Sequence, residues 1–412
     1  MFFSFHSEAE TTIAVLDNII DTTHPKLRPY LHYNSGEVLN SYDDDRNGKV
    51  DDVNGWNFIN EDHLVFNEAQ RGDFPKEVFL YYELRAKKTL DTITDDEMQE
   101  YKDLRKDDDF MDKRKEFSRY THGSHVACLA LDKRNYPKYI RKSDIKLFPV
   151  TYLGDATKGE FLLKDFVPTK STSTSKRIRH IENYIEYYIS FMRNKFLKAI
   201  DYSASHADII HASWGQGYGS TENIVENLFE EQFGDERAKN FKKKRSSMTR
   251  DFMAGLIRNG ERIVRKHSDK LFVFSAGNRK ENTDESPHYP SSIKAANAIT
   301  VGASHNGEKA YFSNFGRSSV TISAPGIAIR SCTPERRRIP INGTSQAAPQ
   351  VTKASSIIRE ILIRKGIRPT PSMIKEIIVR TAKYQKDLVG FNSSSGALNL
   401  KAAIRLTERL RR

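Results

Sequence analysis

Short β-branched runs alternate along this chain with long amphipathic ones, and that alternation restricts the fold more than any other feature. Thr12–Leu16, Asp144–Val150, Asp208–Ala212, Leu271–Phe274 and Ala298–Ala303 read as buried strands, continued by Val320–Ser323 and Ile327–Ser331. Ile181–Ser205, Ser246–Lys266, Ser345–Lys365 and Pro371–Tyr384 carry helical spacing. Parallel neighbours in a sheet need long crossovers, and helices supply them while covering the sheet's two faces. The pattern therefore predicts an α/β fold with a central, mostly parallel sheet. No internal repeat and no linker divides the chain, so residues 1–412 are expected to form one domain.

Composition narrows the class further. With 412 residues, 38% of them hydrophobic, the chain can bury a large core without staples. No apolar run approaches membrane-spanning length, and Met1–His6 lacks the basic region of a signal peptide. The two cysteines argue against a disulfide framework, and Cys128 is expected as a buried, inert thiol. Together these features predict a cytoplasmic location. The net charge of +12 favours acidic partners, but the basic residues lie among 54 acidic ones. No finger spacing or aromatic-studded basic repeat points to nucleic acid.

Three polar stretches interrupt the pattern where chemistry could sit. Asn342-Gly-Thr-Ser-Gln-Ala-Ala-Pro349 opens a helix, which would place Ser345 among unpaired N–H groups at the positive end of the dipole. Gly343 would allow a sharp turn before the serine, and Pro349 would fall within the first helical turn. Asp17 closes the first strand, and His122-Gly-Ser-His-Val-Ala127 reads as a helix entry. A serine alone in such a place is most often a cap; an Asp, a His and a Ser together could form a nucleophile, its base and an orienter.

These stretches, with Val15–Pro25 for the first, resemble the three signatures of the subtilisin-like serine peptidases. Ser275-Ala-Gly-Asn278 resembles that family's oxyanion asparagine, and Ala207–Gly215 its substrate-binding strand. The resemblance runs from about residue 12 to residue 400. It implies a subtilisin-like three-layer fold and peptide-bond hydrolysis with no cofactor for the chemistry. Ser345 would be the nucleophile, His122 the base, Asp17 its orienter and Asn278 an oxyanion donor, with Ser213, Trp214 and Gly215 binding an extended polypeptide. His125 would be structural. Two narrower readings accompany it: a maturation peptidase dedicated to one acidic leader or partner, and an inactive binding scaffold. Ile19, Gln346 and Lys353 depart from the family's usual residues, and a cavity or insertion would have to accommodate Lys353.

Two charged, helix-prone insertions are expected, at about 63–120 and 217–244. The first, with helices Lys76–Thr89 and Thr94–Phe117, reads either as a surface hairpin or as a lid or docking arm. Trp214 reads either as a pocket wall or as a core aromatic, and the region Arg279–Pro290 would form the pocket's far wall. Asp43–Asp52 has the oxygen spacing of a calcium loop, although a hydrogen-bonded acidic turn fits as well. Thr157–Lys176 reads as a mobile loop, and Arg336, Arg337 and Arg338 as a solvated loop tip or a basic rim.

Overall fold

The computed structural model describes residues 10–66, 68, 72, 74–154 and 165–411. The readings of Met1–His6 and of the loop over 157–164 lie outside that range. Strands β1 (Thr11–Asp17), β2 (Trp56–Asn57), β3 (Ile145–Thr151), β4 (Ile209–Ala212), β5 (Leu271–Ser275), β6 (Ala298–His305) and β8 (Ile322–Pro325) run parallel in one sheet. Its order is β8-β6-β5-β4-β1-β3-β2, with β7 (Glu308–Lys309) antiparallel to β6. Beyond β8 come β12 (Gly396–Ala397) and then β11 (Lys383–Tyr384). The chain lays β3 on one side of β1 and β4 on the other, so the strand order reverses at β1. Open α/β sheets bind ligands at the carboxyl ends of strands beside such a reversal.

Side chains alternate across the sheet with period two. Ala14 and Leu16 of β1 point into one apolar cluster, and Ile13 and Val15 into another. The first cluster is roofed by helices Thr174–His206, Tyr218–Phe233 and Lys242–Lys266, which bury Phe196, Phe229 and Phe252 completely. The second is covered by Thr344–Arg364, Pro371–Arg380 and Leu400–Arg409 together with the later part of helix Asp108–Ala130. The result is the expected three-layer arrangement. Among the described residues, no helix is long and apolar enough to cross a membrane.

The first insertion departs from its expected form. It holds α1 (Lys76–Thr89), α2 (Asp95–Lys106) and the start of α3 (Asp108–Ala130). The expected single helix over Thr94–Phe117 is broken at Asp107, whose carboxylate caps α3 by accepting from Phe110 N at 2.9 Å. Because α3 continues unbroken through His122, that histidine lies in the second half of a long helix and not at a helix entry. α1 is no free hairpin arm. It packs on β10 (Arg338–Ile341), which pairs with β9 (Ile329–Cys332) in the hairpin before Ser345. Arg330 forks onto Glu83 at 2.6 Å, and Asn342 Nδ2 donates to Thr89 Oγ1 at 2.8 Å. Of the three arginines in that hairpin, Arg337 lies over the Phe79 ring at 4.3 Å and Arg338 Nη2 reaches the Arg330 carbonyl.

The cysteine reading is also overturned. Cys128 and Cys332 form a disulfide with Cα atoms 6.1 Å apart, joining α3 to β9. Their spacing of 204 residues gave no sign of this, because only the packing of α3 on β9 brings them together.

Candidate active site

Sheet register delivers the site residues to one place. Leu16 pairs with Ala212 and Ala212 with Phe274, so Asp17, Ser213 and Ser275 leave three adjacent strands side by side. α3 then presses directly on the turn after Asp17. A Cβ on Gly123 would stand 2.6 Å from Ile19 O and 2.7 Å from Asn18 O, closer than any side chain tolerates. Ser124 Oγ accepts from Asp21 N at 2.9 Å and fixes the same contact. This clamp sets His122 Nδ1 2.6 Å from Asp17 Oδ1, which also accepts from Asn18 N at 2.7 Å. Ile19 therefore replaces the family's glycine without separating Asp17 from His122. Burial lowers the His122 pKa, but the charge and hydrogen bond of Asp17 outweigh it, and the net direction is upward.

Ser345 stands at the second position of helix Thr344–Arg364. The backbone of Gly343 is extended, so no sharp turn is needed there; its bare Cα instead makes room for Gln346, whose Oε1 would lie 2.5 Å from a Cβ. Pro349 falls beyond the first turn, contrary to expectation. Lacking an N–H, it leaves the Ser345 carbonyl without its helical donor. Ser213 Oγ supplies one at 3.3 Å. In return Ser345 Oγ donates to the Ser213 carbonyl at 2.9 Å. His211 lies behind this pair, its ring nitrogens 2.7 Å from Ser213 Oγ and from Thr352 Oγ1. Burial holds the His211 pKa down at about 3, so it is neutral. The sequence reading passed over His211, although a histidine inside the apolar run of β4 was a signal.

Asn278 is set by the residue next to Ser345. Its Oδ1 accepts from Thr344 N at 2.9 Å and Thr344 Oγ1 at 3.1 Å, while Thr344 Oγ1 accepts from Gly277 N at 3.0 Å. With the oxygen so engaged, the amide nitrogen faces the other way, on the side of Gly343. Gly277 has φ near +100°, and a Cβ there would strike Asn314 Nδ2 and His288 Nε2. Asn314 Oδ1 pins the turn by accepting from Arg279 N and Glu281 N at 2.9 and 3.0 Å.

Ser213, Trp214, Gly215, Asn278 and Ser345 share one cavity of about 450 Å³. Trp214 stacks on Tyr152 at 4.8 Å, packs against the core and lines this cavity. A second cavity of about 400 Å³ lies between Asn18, Leu153 and Gly154 and the first insertion's Phe74, Glu116 and Tyr120. His125 is fully buried with Nε2 3.1 Å from the Ile339 carbonyl, in keeping with a structural place. Lys353 neither needs an insertion nor fills a cavity. It reaches past the end of α3 to the Arg134 carbonyl at 2.6 Å, above the Tyr136 ring.

At the acidic turn, Glu37, Asp43 and Asp45 bring carboxylate oxygens within 4.8 Å of one another. Glu37 had not been counted among them. Backbone donors already meet several of these oxygens, from Asp45 N and Asp51 N to Glu37 and from Gly48 N to Asp43.

Comparison with known proteins gives the family. The profile of the Subtilase family, peptidase S8, matches residues 8–397. The extracellular basic protease of Dichelobacter nodosus is 32% identical over 160 residues, covering 36% of this chain and 26% of that protein. Subtilisin-like protease 2 of Plasmodium falciparum is 33% identical over 113 residues, 27% of this chain and 8% of that protein. The matched stretches thus span well under half of these relatives. Among solved structures, a lanthipeptide protease superposes with a TM-score of 0.53 at 16% identity, covering 96% of this chain and 87% of that one. The epidermin leader peptide processing serine protease of Staphylococcus aureus gives 0.52 at 16% identity, with 98% and 77% covered. At such identity the structures speak for the fold alone, but the family profile spans nearly the whole sequence: the chain belongs to the subtilase family.

Proposed function

We propose that the chain is a serine endopeptidase using Asp17, His122 and Ser345, with Asn278 as oxyanion donor. The observation that carries this reading is the 2.6 Å contact of His122 with Asp17, together with a serine at a helix N-terminus held to Ser213, which leaves the strand next to that of Asp17. Ser345 first turns from the Ser213 carbonyl toward His122. Its oxygen then attacks the scissile carbonyl while His122 Nε2 takes the proton, and Asp17 holds the Nδ1–H and stabilises the imidazolium. The negative oxygen receives the Asn278 amide and the Ser345 backbone N–H, each donor of this kind contributing about 2.7–4 kcal/mol. Collapse expels the amine with the proton from His122. Water, activated by the same base, then releases the acid.

Purified protein should cleave an unstructured polypeptide, and Ser345→Ala should lose all of that cleavage while keeping its unfolding temperature. Full activity in the variant would exclude the mechanism; an inert wild type would favour a binding scaffold. A narrower reading, processing of one leader or partner, gains support from the second cavity, because residues of the first insertion line it together with Asn18, the residue after Asp17. A cleavage map over a proteome-derived peptide library separates the two readings by the number of sites cut.

A calcium ion at the acidic turn belongs to the same proposal. Glu37, Asp43 and Asp45 offer the hard oxygen ligands that calcium takes, and would hold the turn rather than enter the chemistry. Added chelator should lower the unfolding temperature and added calcium restore it. A temperature indifferent to both means that the backbone donors suffice.

A further inference from the structure

The cavity that holds Ser345 and Asn278 receives the side chain of the residue whose carbonyl is attacked, since nucleophile and oxyanion donor stand in its wall. Its remaining walls are Trp214, three glycines and polar side chains. His288 closes the floor, buried beneath Gly215 and Gly277. A Cβ on Gly215 would stand 2.1 Å from its Cε1, and one on Gly277 2.9 Å from its Nε2. His288 Nδ1 lies 2.8 Å from Ser291 Oγ. That hydroxyl also has the His288 and Ala276 carbonyls as acceptors, at 3.2 and 3.5 Å, and His288 Nε2 has no partner among the described residues. Burial, reinforced by the nearby Arg279 charge, holds the ring's pKa at about 4, so it is neutral at working pH.

Arg279 forms the far side. Its Cδ and Nε lie 3.3 and 3.5 Å from where a Cβ on Gly217 would be, so the bare glycine lets the arginine lie flat against the chain. Nη2 then donates to Ser220 Oγ at 2.8 Å, and Gly217 and Ser220 both line the cavity. The other charges of this region are turned elsewhere. Asp284 accepts from Ser318 and Ser319, and Glu285 from Asn282. Glu281 lies behind Gly217 and Gly219, outside the cavity lining, and makes no ion pair with Arg279 among the described contacts. Burial raises its pKa against the opposing pull of the Arg279 charge, so Glu281 competes with an incoming carboxylate for that charge without pairing with it.

We propose that this cavity selects a carboxylate side chain, Glu or Asp, immediately before the scissile bond, with Arg279 as the charge partner and Ser220 Oγ as a hydrogen-bonding group. The inference rests on the endopeptidase reading and names its substrate class. A carboxylate entering the cavity gains charge-assisted hydrogen bonds from arginine, a planar fork suited to it. Arg279 is itself exposed, so the selection is graded and salt-sensitive rather than absolute.

The test is kcat/KM on peptides identical except for Glu, Asp, Gln, Ala, Phe or Lys at that position, with a fluorophosphonate labelling assay run in parallel. Wild type should prefer Glu over Gln several-fold at low salt and by clearly less at 1 M, as screening of an exposed pair requires. Arg279→Gln should remove most of that ratio, Arg279→Glu should turn it toward Lys, and Glu281→Gln should increase it. Labelling without any acidic preference would overturn the proposal and leave the peptidase reading standing. So would a Lys preference abolished by Glu281→Gln. Absence of both labelling and cleavage of every peptide would instead remove the peptidase reading, and the inference with it. The salt dependence of the wild-type ratio decides the matter even if a variant folds poorly.

Discussion

The two insertions look alike as sequence, both charged and helix-prone, yet the fold uses them differently. The first runs into the active-site candidate from two directions. Its last helix is the one that carries His122, and its first helix packs on the hairpin that leads to Ser345. The second begins at Gly217 beside the cavity, and its apolar residues then go to roofing the sheet with Val225, Leu228 and Phe229. One insertion is continuous with the groups that must be aligned, and the other is mainly an added layer. Disturbing the first should therefore cost alignment as well as stability, while disturbing the second beyond Gly217 and Ser220 should cost stability alone.

The largest effect belongs to the contact that the first insertion's helix delivers. Asp17→Asn should reduce kcat by about 10⁴, the order known for a triad aspartate. It should also move the acid limb of kcat/KM. In the wild type the Asp17 charge and hydrogen bond raise the His122 pKa against the opposing effect of burial, so the free base is lost on the acid side from a point above 6.5. With the two raising causes gone, burial remains and the limb should shift to lower pH. The linked stability has the opposite sense. The protonated His122–Asp17 pair stabilises the fold fully below the unfolded pKa, and this contribution disappears as pH rises through the raised one. A pH–rate profile for wild type and variant checks the direction, and an unmoved limb would detach Asp17 from His122.

A smaller effect sharpens the contrast directly. Ile339, almost wholly buried beneath α1, and Phe229, wholly buried in the second insertion, are comparable core positions. Ile339→Ala should cost about 2–5 kcal/mol and Phe229→Ala about 3–5 kcal/mol of stability. Only Ile339→Ala should also lower kcat on a short peptide, by about tenfold, because the hairpin it anchors leads to Ser345. Denaturant titrations and kcat for both variants test this. Equal kcat in the two would mean that the first insertion is an added layer as well.

Much of this was legible in the sequence. The strand–helix alternation gave the parallel sheet, and the local signatures around Asp17, His122, Ser345 and Asn278 are short enough to be read without tertiary knowledge. What escaped depends on contacts between distant segments. The start of α3 was misread because Asp107, an N-cap in the structure, sits inside a continuously helix-prone stretch. The Cys128–Cys332 bridge follows from α3 lying on β9, which no spacing encodes. Arg279 could be named as belonging to the pocket region, but its direction is set by Gly217 and Ser220 from another part of the chain. The role of Pro349 was similarly hidden, because the carbonyl it frees is met by Ser213 from a different strand.

The most direct test of the whole account is site mapping with a fluorophosphonate on the folded wild-type protein. Modification should reach one label per chain, reside on Ser345 by peptide mass spectrometry, and fall away on the acid side with the same limb as hydrolysis. A label on another serine, or none on protein that cleaves peptides, would contradict the assignment of Ser345 as the nucleophile.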